Sequence, residues 1–139
     1  MSKVIHNADQ FIVIGENIHA TRVVKRGGAR GHVYEDGTEA VKYKVGGDQR
    51  FLTVPEHFIG TQPYEQGHLK HFMIAMWQGL NGTSDESAQG KDYIRYEVDR
   101  QINAGSHYLD LNVDESSYRL LEQKQSMEWV VKFVESVSA

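Results

Sequence analysis

Cysteine is absent from this 139-residue chain. Its absence excludes a disulfide framework, a thiolate zinc site and a cysteine nucleophile. Proline is scarce, at two residues, and no long polar or low-complexity tract takes its place, so the composition argues against disorder. A basic excess is also missing. The formal net charge is -4, whereas a nucleic-acid reader carries clustered positive charge. No stretch reaches the ~20 apolar residues of a membrane span. The opening MSKVIHNADQ lacks the apolar core of a secretory signal. The expectation is a soluble cytoplasmic protein with no nucleic-acid and no membrane partner. The length and the 40% hydrophobic content suit one globular domain over residues 1–139.

What is present alternates between strand and helix patterns. Residues 11–14, Phe-Ile-Val-Ile, form a short apolar run of the kind found in strands buried on both faces. The polar break at Gly15-Glu16-Asn17 marks its C-terminal end. Glycines then punctuate β-prone pieces: residues 32–35 and 40–45 read as a hairpin about Asp36-Gly37, with 51–54 as a third strand. This stretch reads as an inserted flap, too short for a core of its own and without a periodic core face. Residues 66–80 read as a helix with Leu69, Phe72, Met73, Met76 and Leu80 on one side. Thr83 and Glu86 have capping-box spacing. They open a second helix over about 86–104, carrying Ile94, Val98 and Ile102, which Gly105 stops. Residues 107–114 alternate as a strand. A last helix, about 120–137, has Met127, Val130, Val131, Val134 and Val137 as its stripe. Strand, helix, strand, helix implies parallel α/β units.

The most informative motif is Asp110-x-Asn112-x-Asp114. With Leu109, Leu111 and Val113 packed under helices, these polar residues would line a barrel interior or the crevice at a strand end. Each unpaired buried polar group costs ~1–3 kcal/mol, so a ligand rich in N–H donors would suit them. The same residues at a strand end also suit capping of the next helix or bracing of a loop, and spacing alone leaves both readings open. Glu16 and Asn17 close the first strand with the same chemical types, which favours one shared pocket. His68 and His71 lie three apart on the expected helix, a metal-like spacing without a third ligand; a solvated helix face explains them as well. Arg22, Lys25, Arg26 and Arg30 among glycines read either as an anion-holding loop or as a solvated one. Trp77 and Trp129 read as core or core-flanking residues.

These strings are similar to those of one family. Residues 11–18, Phe-Ile-Val-Ile-Gly-Glu-Asn-Ile, resemble the opening strand of the methyltetrahydrofolate methyltransferases, where a Gly-Glu-Arg-Ile/Thr-Asn-like string follows a hydrophobic run. Residues 101–115, Gln-Ile-Asn-Ala-Gly-Ser-His-Tyr-Leu-Asp-Leu-Asn-Val-Asp-Glu, resemble the second strand of that family and the helix end before it. Residues 126–132, Ser-Met-Glu-Trp-Val-Val-Lys, resemble the following helix. The resemblance covers about residues 11–19 and 94–137. It implies an α/β fold: the N-terminal part of a (β/α)8 TIM barrel, with two βα units and an inserted β-rich flap at about 22–84. It further implies methyl transfer from methyltetrahydrofolate to a corrinoid protein, with cobalamin carried by that partner. Asn112 would hydrogen-bond the pterin ring, and Glu16, Asn17, Asp110 and Asp114 would line the mouth; no catalytic residue is assigned.

The chain departs from the family at Asn17, where many relatives carry Arg, and in the 22–84 segment. Dihydropteroate synthase is the related alternative, but its Thr-Pro-Asp-Ser-Phe-like string has no match in Ile18-His19-Ala20-Thr21. A full barrel needs ~250 residues, and the acidic and amide residues that later strands supply have no counterpart here. The expectation is therefore a partial site, inactive alone, belonging to a homo-oligomer or completed by another chain. A non-catalytic assembly module is the reading from a different class.

Overall fold

The structure, a computed structural model, describes residues 4–7, 10–12, 14–19, 22–103, 108–112 and 120–138; up to residue 19 and over 108–112 the description is of backbone and register. Among the described residues the fold is mixed α/β, with small antiparallel sheets, a parallel strand pair and three long helices. β1 (Val4–Asn7) and β2 (Gln10–Ile12) form an antiparallel pair. β3 (Ile14–His19) runs parallel to β9 (Tyr108–Asn112), the strand arrangement expected of a βα unit. The expected first strand is displaced in sequence. Phe11 and Ile12 belong to the antiparallel pair, and the parallel strand is formed by the string that read as its polar end. A local apolar run marks strand potential, but the ladder partner decides where a strand lies.

The stretch read as an inserted flap, within about residues 22–84, contributes to the core. β4 (Val24–Lys25) pairs antiparallel with β8 (His68–Leu69), closing off a three-stranded antiparallel sheet of β5 (Gly31–Val33), β6 (Glu39–Val45) and β7 (Asp48–Thr53). Val45 pairs with Asp48 across a two-residue loop in which Gly46 and Gly47 have φ of 58° and 87°. A type I′ turn demands positive φ at both sites, and glycine meets that demand without steric cost. A 3-10 turn (Glu56–Phe58) and one-turn α1 (Gln62–Glu65) lead back to β8.

Three helices complete the fold: α2 (His71–Asn81), α3 (Ser84–Asn103) and α4 (Leu120–Ser138). The expected helix over 66–80 starts late. Gly67 takes a φ of 88°, and Leu69 is drawn into pairing with Val24. His68 and His71 thus sit on different elements, which removes the helical metal spacing. The capping box forms as expected: the Thr83 amide donates to Glu86 Oε1 at 3.0 Å, and the Glu86 amide donates to Thr83 Oγ1 at 3.3 Å.

One core joins sheet and helices. Val41, Tyr43, Leu52 and Val54 of the supposed flap are buried with Leu69, Phe72, Ile74, Ala75, Met76, Tyr93, Ile94, Val98, Val130 and Val134. The expectation of a segment without a core face is therefore overturned: Val41 and Leu52, opposite each other on β6 and β7, are fully buried. Each such side chain contributes ~1.5–3 kcal/mol by leaving water. α3 buries Gly90, Tyr93, Ile94, Glu97, Val98 and Gln101, a three-four spaced stripe that the apolar residues alone half reveal. Ile102, Leu80 and Met127, expected in the core, are exposed. Gly90 and Gly79 set the helix spacing. A Cβ at Gly90 would strike the Ala75 carbonyl oxygen, and one at Gly79 would strike the Trp129 ring.

Candidate functional site

The parallel pair brings the sequence motifs together. Along the ladder Asn17 pairs with Asp110, Ile18 with Leu111 and His19 with Asn112. Both strands run the same way, so His19 and Asn112 share the C-terminal end, where parallel α/β folds gather functional groups. From Ile14 to Asn17 is three steps on β3, but from Tyr108 to Asp110 is two steps on β9, so the register shifts at Gly15–Glu16. Gly15 and Glu16 therefore fall between the paired positions of the ladder. Asp114 lies outside the described residues. Three of the five candidate residues are thus in paired register (Asn17, Asp110, Asn112), and Glu16 lies at the register shift. His19, which the motif reading passed over, is paired with Asn112.

A second polar cluster lies among α2, α3 and the loop before β5. Arg30 donates from Nη2 to the Tyr93 hydroxyl at 2.9 Å and from Nε to the Lys42 carbonyl at 3.3 Å. The Tyr93 hydroxyl is 2.7 Å from His71 Nδ1. Tyr93 is fully buried, edge-on to Tyr43 at 4.9 Å between ring centroids. Burial pushes its phenol well above the ordinary range. His71 is pushed down to about 4 by burial, and then by the charges of Arg30, Arg100 and Arg22. α2 starts at His71 with no side-chain cap from Lys70 and no acid in its first turn. The helix end adds to the field that keeps this imidazole neutral. Arg22 follows the end of β3 by three residues.

The remaining sequence candidates are structural. Arg26 holds Glu39 through Nη2–Oε2 at 2.6 Å, reaches the Tyr64 carbonyl at 3.0 Å and lies over the Tyr64 ring. The hydrogen-bonded guanidinium keeps the Glu39 carboxyl below its ordinary range. Lys25 is an exposed residue of β4 paired with His68. Asp92 on α3 accepts from Tyr43 and, at 2.6 Å, from Arg50 Nη1, tying helix to sheet. Trp77 stacks on His57 at 4.7 Å, and Trp129 packs against the core beside Phe133. Among the described residues no group of three His, Asp or Glu side chains is placed to hold a metal, and no helix is long and apolar enough to cross a membrane.

No protein-family model matches the chain, and neither a curated protein nor a solved structure matches it.

Proposed function

We propose that this chain forms part of a pterin-binding site, and that its activity is methyl transfer from methyltetrahydrofolate to a corrinoid protein. One observation carries the reading: parallel pairing of β3 and β9 sets Asn17 against Asp110 and His19 against Asn112 at one sheet end. The donor set fits the ligand. Amides and carboxylates match the alternating donors and acceptors along a pterin edge. A tertiary amine is a poor leaving group, so N5 must gain positive character through protonation or hydrogen bonding before its methyl departs. Residues that grip the pterin edge orient it and stabilise the charged form. In this reading Asn112 hydrogen-bonds the ring, while Asp110, Asn17, Glu16 and Asp114 line the mouth. Later barrel strands, from another chain or a continuation, would complete the site, and cobalamin would reside on the partner protein.

Calorimetric titration with methyltetrahydrofolate tests the binding step. A methyl-transfer assay with a corrinoid protein tests the reaction. Saturable binding that Asn112→Ala weakens supports the proposal. Condensation of a pterin pyrophosphate with p-aminobenzoate would assign the dihydropteroate synthase reaction instead.

A second reading has its own observation. Much of the shared core comes from residues 24–76, inside the 22–84 segment in which the chain departs from the family. A non-catalytic binding or assembly module, organised around the three-stranded sheet and its helices, accounts for that packing. Absence of any pterin binding by a folded chain would favour it.

A further inference from the structure

The two faces of the three-stranded sheet differ in kind. Along β6, Val41 and Tyr43 belong to the core, so Ala40, Lys42 and Lys44 stand on the opposite, outer face. The register sets His32 and Thr53 beside Ala40, and Phe51 beside Lys42. The His32 ring lies 4.9 Å from the Tyr34 ring and 4.6 Å from the Phe51 ring, centroid to centroid. The Tyr34 hydroxyl is 3.1 Å from Thr53 Oγ1. These rings form a second aromatic cluster, outside the shared core. Ala40, in register beside it, is fully buried and also lies outside the core cluster. His32, Tyr34 and Phe51 are themselves only partly covered.

The charge of this outer face has one sign. The carboxylates of β6 and β7, Glu39 and Asp48, alternate onto the other side, where they hold Arg26 and Arg50. Lys42 and Lys44 form no ion pair among the described residues. They stand about 7 Å apart along the strand, close to the step between successive phosphates of an extended single strand. The net charge of -4 is thus unevenly distributed, and this face opposes it.

Partly exposed rings beside unpaired ammonium groups are the two components of a surface for single-stranded nucleic acid. Bases stack on the rings, and phosphates meet the cations. An open sheet face does not enclose a small ligand. A duplex keeps its bases stacked on one another, away from the rings. An acidic peptide would satisfy the lysines and leave the rings unused.

We propose that the outer face of β5, β6 and β7, through His32, Tyr34, Phe51, Lys42 and Lys44, binds single-stranded nucleic acid. None of these residues belongs to the proposed pterin site, so the two readings stand or fall separately.

Fluorescence anisotropy of labelled oligothymidylate with the intact chain tests the proposal. Saturable binding at low salt is expected, with weaker binding of a duplex of equal length and of polyglutamate of equal charge. Affinity should fall with added salt at a log–log slope of about -1.4, the value for two neutralised phosphates. Phe51→Leu keeps an apolar side chain but removes the ring, and should weaken binding about tenfold, the loss of one stacked base. Lys42→Gln combined with Lys44→Gln should remove most of the salt dependence. Absence of saturable binding overturns the proposal. So does binding of the duplex or of polyglutamate as tight as that of the single strand, which would leave charge alone as the cause. Unchanged affinity in the folded variants overturns this face as the site. Should Phe51→Leu not fold, the lysine variant decides, since Lys42 and Lys44 lie outside the core.

Discussion

Gly90 of α3 lies against the Ala75 carbonyl of α2 so closely that a Cβ at Gly90 would collide with that oxygen and come within 2.8 Å of Gln78 Cβ. The two helices therefore meet backbone to backbone, and this contact sets how α3 covers the sheet. Gly90→Ala must push the helices apart or bend one of them. The expected cost is ~1–3 kcal/mol, the usual range for overpacking, read as a lower midpoint in urea with an unchanged slope. An unaltered midpoint would mean that α2 and α3 do not meet at this glycine.

Removal of residues 33–54 takes away β6 and β7, including the fully buried Val41 and Leu52. It also strips Asp92 of Tyr43 and Arg50. The deletion is expected to abolish cooperative unfolding rather than trim a loop. A sharp thermal transition in the deleted chain would contradict the single shared core.

Stability should depend on pH through His71. Its pKa in the fold, about 4, lies below the ordinary 6.5. Between those values the unfolded chain binds a proton that the folded chain does not. Acidification through this window therefore favours unfolding; the loss begins as pH falls below 6.5 and is complete below about 4. Its size is on the order of 2–3 kcal/mol. Glu39 acts in a separate window: held low by Arg26, it loses its contribution only as pH falls below its ordinary 4.5. His71→Gln should flatten the slope between pH 6.5 and 4 and leave the lower window intact, which denaturation at a series of pH values would reveal.

Thr83→Ala removes one half of the capping box at the start of α3. A loss of ~1 kcal/mol is expected, with Glu86→Gln largely tolerated because an amide oxygen still accepts from the Thr83 amide. Equal losses for both variants would assign the effect to charge at the helix end instead.

At the strand ends, Asn112→Ala is expected to weaken methyltetrahydrofolate binding by ~1–3 kcal/mol, the cost of leaving a ligand group unpaired. Asp110→Asn should weaken it less if its role is to accept a hydrogen bond, since an amide oxygen also accepts. Unchanged affinity for both variants in calorimetry would remove Asp110 and Asn112 from the site.

Local patterns in the sequence were sufficient for several features, because short-range physics decides them. The capping box at Thr83 and Glu86 depends on groups three residues apart. The Gly46-Gly47 turn depends on backbone sterics alone. The alternation of residues 108–112 and the stripe of α4 about Val130 and Val134 follow from strand and helix periodicity. The pairing of the first strand region with the Asp110 strand was legible as a type, since the connection through helices favours parallel strands. Its register was not. Whether residue 11 or residue 14 begins the parallel strand depends on a partner over ninety positions away, and no local property of Phe11 or Ile14 encodes it. Leu69 has the helical spacing of its neighbours, yet pairing with Val24 holds it in a strand. The role of residues 33–54 was hidden for the same reason: Val41 and Leu52 become core only when α2 and α3 close over the sheet. Tyr93, Arg30 and His71 are ordinary residues in the chain, far apart in sequence. Only tertiary packing, by burying the phenol and bringing Arg30 and His71 to it, joins the three in one hydrogen-bonded group.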